Sequence, residues 1–233
     1  LYFDQCPWPD AMLRTTYLHL SERMATGGQV EVAEKILQEA LEWAKSKEDK
    51  GMTAYLMMVG SKLDRRRRDL YRARDRAQEA LTLYRELENK NQEGQAIAQL
   101  ALIEFSDGKS DAALERAQEA EDAAAIPPVQ AICSFVRGLV TQKERKPKEA
   151  ITFFENANKL AGQSNNAMLA LEAGMKLGEC LLISQQLPQA ADVLAQVGQM
   201  ARGLKAPIQE RASFDMLGKA HAGLQNFEAA LQA

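Results

Sequence analysis

Seven arginines fall within twelve residues: Arg65, Arg66, Arg67, Arg68, Arg72, Arg74 and Arg76. A guanidinium fork pairs bidentately with phosphate or carboxylate, so the run, with Arg65 to Arg68 and Arg72 at its centre, is a candidate patch for an anionic partner. Asp64, Asp69 and Asp75 are interleaved with it. They offer local pairing along a solvated helix face, and that reading stands beside the first. Tyr71 is the one aromatic in the run, so bases have no series of rings to stack on. Specific nucleic-acid binding is not expected.

Catalytic chemistry has little else to use. The two histidines, His19 and His221, have no cysteine or carboxylate at metal-ligand spacing, and there is no phosphate-cradling glycine loop or nucleophile elbow. No catalytic, cofactor-binding or metal-binding residue is assigned, and the chain reads as a non-enzyme. Cys6, Cys133 and Cys180 are odd in number and far apart, and the latter two lie in apolar stretches. They read as core thiols of a reduced, cytoplasmic protein. A net charge of −3 gives no global attraction to nucleic acid or an anionic membrane. No apolar run of about 18 residues is present, so membrane insertion is not expected. No signal peptide is visible either, and a chain opening Leu1-Tyr2-Phe3 reads as a fragment of something longer.

What would position these residues is a repeat. Alanine makes up 37 of 233 residues, and with few β-branched residues that composition favours helix. The triplets Ala33/Leu37/Ala40, Ala73/Ala77/Ala80, Ala113/Ala117/Ala120, Ala150/Phe154/Ala157 and Ala190/Leu194/Val197 recur, and Ala230 begins a sixth. Leading alanines are spaced by 40, 40, 37, 40 and 40 residues, each preceded twelve positions earlier by a small residue: Ser21, Ser61, Ala101, Gly138, Gly178 and Gly218. Spacings of three and four put each set on one helix face, where small residues let two antiparallel helices approach closely. Turn signals at Gly27-Gly28, Asp107-Gly108, Pro127-Pro128, Lys146-Pro147, Gly162 to Asn166, Pro188, Pro207 and Asn226 divide the chain into helices. The pattern predicts helices near 10–25, 30–46, 51–65, 69–88, 93–105, 110–124, 129–143, 147–161, 166–184, 188–203, 207–223 and 226–233. No stretch alternates with period two, so the fold class is all-α.

The set Gly138, Ala150, Phe154, Ala157 resembles the helix pair of the tetratricopeptide repeat (TPR), with Gly178/Ala190/Leu194 and Gly218/Ala230 close behind. At 40 residues the unit is similar to the family's longer-helix variant. Ala77 and Ala117 depart from it, standing where the family has a large residue, and the family's first-helix Trp and Tyr are mostly absent. The resemblance implies an α-solenoid, a right-handed superhelix of about six helix-turn-helix repeats in one domain, 1–233. The repeats would be 10–48, 49–89, 90–126, 127–163, 164–204 and an incomplete 205–233. His221 falls where the family often has Tyr, which implies a packed histidine.

Stacked pairs line a concave surface with their first helices. Projected onto it are Thr15, Leu18 and Glu22; Tyr55, Met58, Lys62 and Arg65; Gln95, Ala98, Leu102 and Phe105; Ile132, Phe135, Leu139 and Gln142; Met175, Glu179 and Leu182; and Asp215 and Lys219. If the groove is open, Tyr55, Phe105, Phe135 and Leu139 are accessible, and an amphipathic helix or peptide of a partner protein is the expected ligand. If the array is tightly coiled, the same residues pack against adjoining helices. The family's carboxylate clamp is not matched: Met58, Lys62, Gln95, Gln99, Phe135, Leu139, Glu172 and Lys176 occupy its places. Three roles follow: an interaction scaffold, a regulatory or sensor segment of a larger signalling or transcription-regulating protein, and homo-oligomerisation through the C-terminal repeat, where Phe214, Leu217 and Leu224 lack a complete partner helix.

Overall fold

The computed structural model describes residues 30–224, and every regular element in that range is helical. The helices are α1 (Val30–Ser46), α2 (Lys50–Arg66), α3 (Leu70–Glu86), α4 (Lys90–Ser106), α5 (Ser110–Ala123), α6 (Pro127–Lys143), α7 (Pro147–Gln163), α8 (Ala167–Ile183), α9 (Leu187–Gly203) and α10 (Pro207–Gly223). All are 17 residues long except α5, which has 14. The expected helices 10–25 and 226–233, the Gly27-Gly28 and Asn226 turns, and Cys6, Thr15, Leu18, His19, Ser21, Glu22 and Ala230 lie outside the described residues.

Helix starts follow a chemical rule. Asp49, Asp69, Asn89 and Asn166 each accept a hydrogen bond from the backbone N–H three residues on, while α6, α7, α9 and α10 carry proline in their first two positions. Helix ends follow another. Glu48, Arg68, Glu88, Gly108, Arg145, Asn165, Gln185 and Lys205 all have positive φ, each two residues past a helix. At the α2 end the Arg68 N–H donates to the Arg65 carbonyl at 3.1 Å and the Asp69 N–H to that of Asp64 at 3.0 Å. This is the paired closure of a Schellman turn, and its last residue already caps the next helix. The α5–α6 connection departs from the rule: Ala124 and Ile126 are extended, and Pro127-Pro128 restarts the helix.

Burial separates two layers. On α3 and α5 the buried residues form a stripe, Ala73, Ala77, Ala80, Leu81 and Tyr84 on one and Ala113, Ala117 and Ala120 on the other, leaving the opposite face to water. On α4, by contrast, burial is nearly continuous from Ala96 through Ile103. The even-numbered helices are therefore sandwiched and the odd-numbered ones lie outside. Successive inner helices also pack on one another, α2 on α4, α4 on α6, α6 on α8 and α8 on α10, with no comparable packing between successive outer helices. A stack that touches on its inner side curves toward that side, which makes the even-numbered face concave.

Curvature is tightest between α4 and α6. There α5 is one turn short, and Gly94 lets the α5–α6 connection close on α4. A Cβ on Gly94 would stand 2.7 Å from the Ala124 Cβ and 3.2 Å from Val129 Cγ2.

Candidate functional site

Four rungs of side chains cross the concave face. In order along the helices they are Tyr55, Gln95, Ile132 and Glu172; Met58, Ala98, Phe135 and Met175; Lys62, Leu102, Leu139 and Glu179; and Arg65, Phe105, Gln142 and Leu182. The tight α4–α6 approach closes the middle. Met58, Ala98, Leu102, Ile132 and Phe135 are buried. Phe135 is 4% exposed, its ring 5.7 Å from that of Phe154 at a tilt of 60°. The expectation that Phe135 is accessible is therefore corrected: it belongs to the core, because the short α5 draws α6 inward.

The C-terminal half of the face stays open. Phe105, Leu139 and Leu182 are half-buried, as are Gln142 and Glu179, while Lys62 and Lys143 are exposed and Ile183 is 57% exposed. On the first two rungs Tyr55 and Met175 are half-buried. Lys143 Nζ lies 5.8 Å above the Phe105 ring and donates to the Gly108 carbonyl and Ser110 Oγ at 3.1 and 3.0 Å. Lys176 pairs with Glu179 at 2.8 Å. The projection missed Lys143 and Ile183, which follow Gln142 and Leu182 at the last helical position. The lengths of α6 and α8 are the signal that marks them.

The arginine run is mostly spent on ion pairs with other helices. Arg67, Arg72 and Arg76 converge on Glu34 of α1, Arg72 at 2.8 Å and Arg76 at 3.4 Å. Arg76 also pairs with the buried Asp64 at 2.8 Å. Arg74 grips Glu104 with Nε and Nη2 at 3.1 and 3.2 Å and reaches Asp107 at 2.9 Å. Burial would raise the Glu34 carboxyl, but the Arg72 hydrogen bond and the Arg72, Arg76 and Arg67 charges outweigh it and hold it below the ordinary value. Asp64 goes the other way, because burial exceeds the pull of Arg76 and Arg72. Of the interleaved aspartates, Asp69 caps α3 by accepting from the Arg72 N–H at 3.2 Å. Arg68 is exposed at its turn. Only Arg65 and Arg66 turn across the concave side, toward Glu172 of α8.

Among the described residues no group of three His, Cys, Asp or Glu is placed to hold a metal ion, and no helix is long and apolar enough to cross a membrane. His221 is half-buried. Cys133 and Cys180 are free and buried, and burial pushes their thiols up to about 12 and about 11. At the C-terminal end Leu217 is buried and Leu224 exposed. Phe214 sits against Gly198, with Arg202 5.6 Å above its ring, so its face is partly covered.

No family model matches the chain, and no curated protein matches it in sequence. Solved structures do match. BtubC (BKLC) from P. vanneervenii superposes with a TM-score of 0.63 at 17% identity, covering 89% of this chain and 87% of that one. A signal transduction ATPase with numerous domains from Pyrococcus horikoshii, with a tetratricopeptide repeat sensor, superposes at 0.60 and 16% identity. This chain is covered over 97% and spans 37% of that protein. A Rap protein complexed with competence and sporulation factor superposes at 0.59 and 11% identity, over 95% of this chain and 74% of that one. The fold is TPR-like. The TPR-like solenoid agrees with the resemblance carried by Gly138, Ala150, Phe154 and Ala157.

Proposed function

We propose that this chain is a non-catalytic interaction scaffold that binds a peptide or helix of a partner protein on the open half of its concave face. One observation carries the reading: Phe105, Leu139, Leu182 and Ile183 keep apolar surface in water on one face, ringed by Lys62, Gln142, Lys143 and Glu179. The complex of the similar Rap protein with competence and sporulation factor supports it as an analogy of fold. The reading takes residues 1–233 as one repeat domain, and a reducing compartment such as the cytoplasm suits its two buried free thiols.

The test compares wild type with Phe105→Ala/Leu139→Ala/Leu182→Ala in affinity capture from source lysate, with helicity checked by circular dichroism. Loss of a captured protein from the folded variant supports the assignment, and undiminished capture removes it. The second reading, a regulatory or sensor segment, draws on the repeat sensor of the ATPase, of which this chain spans 37%. A reading frame continuing into an ATPase or DNA-binding domain supports it. A frame that ends in a polar capping helix counts against it.

A further inference from the structure

Arg65 and Arg66 close the last turn of α2, and Glu172 lies in the first half of α8. These helices are not packed side by side, so the contact spans the concave side. It is loose. Arg66 Nη2 lies 3.5 Å from Glu172 Oε1, and Arg65 Nη2 lies 3.9 Å from Oε2, beyond hydrogen-bond reach. Elsewhere the molecule builds such pairs tightly: Arg137 holds Glu121 with two bonds of 2.7 and 2.6 Å. Arg65 Nε is buried and has no acceptor at all. Burial, with Arg66 beside it, disfavours the Arg65 charge, and Glu172 compensates only in part. A guanidinium offers five N–H donors, and a buried donor left unmade is destabilising until an acceptor arrives.

We propose that this site receives an acidic segment of a protein partner, whose carboxylate displaces Glu172 and makes the close forked pair with Arg65 and Arg66 that Glu172 does not. The inference rests on the concave-face reading and names its partner's chemistry. Charge complementarity selects this occupant. Lys143 lies over the ring of Phe105, one rung from Leu139, so the surface fits a segment in which Asp or Glu alternates with large apolar residues. Glu172 is the internal stand-in, an intramolecular carboxylate that occupies the site until a better one competes.

The experiment selects twelve-residue peptides from a random displayed library against the chain and measures labelled synthetic copies by fluorescence anisotropy. Four proteins are compared: wild type, Arg65→Gln/Arg66→Gln, Glu172→Gln and Phe105→Ala/Leu139→Ala/Leu182→Ala. The expected peptides are enriched in Asp and Glu and bind at least tenfold more weakly to the double arginine variant. Glu172→Gln binds them several-fold more tightly, and affinity falls with added salt. Peptides lost with the apolar variant but indifferent to the arginines overturn the acidic anchor and leave the concave site standing. Peptides indifferent to every variant, or no selected peptide, overturn both. If the arginine variant does not fold, Glu172→Gln decides alone: unchanged or weaker binding refutes displacement.

Discussion

The ring of Phe154 fills the space that a side chain on Gly138 would need. A Cβ at Gly138 would lie 2.7 Å from Phe154 Cε1 and 2.8 Å from Cδ1. Gly178 stands in the same relation to Leu194, at 2.5 Å from Cδ2. At the equivalent register the earlier pairs are Ser61 with Ala77 and Ala101 with Ala117, all fully buried. Among these four described pairs, a large residue on the outer helix meets glycine on the inner one, and alanine meets serine or alanine. Combined volume is what the interface keeps, and this accounts for Ala77 and Ala117 departing from the repeat pattern.

Gly138→Ala therefore overpacks a stiff aromatic and is expected to destabilise by about 1–3 kcal/mol. Phe154→Ala leaves a cavity and costs about 3–5 kcal/mol. The double variant recreates the Ala101/Ala117 pair, so its loss is expected to fall short of the sum. Urea unfolding of all four proteins measures the coupling, and strict additivity would refute the shared volume.

A second prediction concerns the turns. Arg145 has φ 62 and is exposed, a left-handed conformation that a Cβ resists. Arg145→Gly is expected to stabilise by roughly 0.5–1 kcal/mol, and Gly108→Ala, at φ 86, to destabilise by a similar amount. Opposite signs in denaturant midpoints are the check.

These turns also show where the sequence was silent. Nearly every helix boundary was legible, because alanine triplets mark the buried stripe and proline or Asp/Asn marks the start. The left-handed residues mostly were not: apart from Gly108 and Asn165 they are Glu, Arg, Gln and Lys, types that carry no strong turn signal. Phe135 was misjudged because burial depends on curvature, which a short α5 changes from a distance. The arginine run showed its charge but not its partners. Glu34, Glu104 and Glu172 come from other helices, and chain spacing does not encode that.

Acid should expose the Glu34 hub. Its carboxyl is held below the ordinary 4.5, so its stabilising share is complete above that pH and is lost as pH falls through the lower folded value. Asp64 is raised above 3.8, so its share is complete below that pH and is lost as pH rises through the folded value. Glu34→Gln is expected to destabilise by roughly 1–2 kcal/mol near neutrality and to converge on wild type as pH falls through the lowered folded value. Unfolding free energies measured across that range test it; a constant gap would sink the assignment.

Thiol reactivity gives a further check. With thiols near 12 and 11 and no exposure to solvent, Cys133 and Cys180 should resist iodoacetamide in the native protein and react on denaturation. Site-resolved mass spectrometry reads the outcome, and native labelling at either position would contradict the packing.

Helices α1 to α5 begin at residues 30, 50, 70, 90 and 110, and α6 to α10 at 127, 147, 167, 187 and 207. The chain thus holds two blocks of one beat, offset by three residues at the α5–α6 junction. Within either block a recombination event that duplicates or removes two consecutive helices joins matching turns and preserves every contact face. An exchange of a fixed forty residues, in phase within a block, rejoins the chain three residues out of phase when it crosses the junction, turned by about 60° around the helix. The junction is a seam that fixes which segments of this array can be exchanged, and the closed stretch of the concave face lies on it.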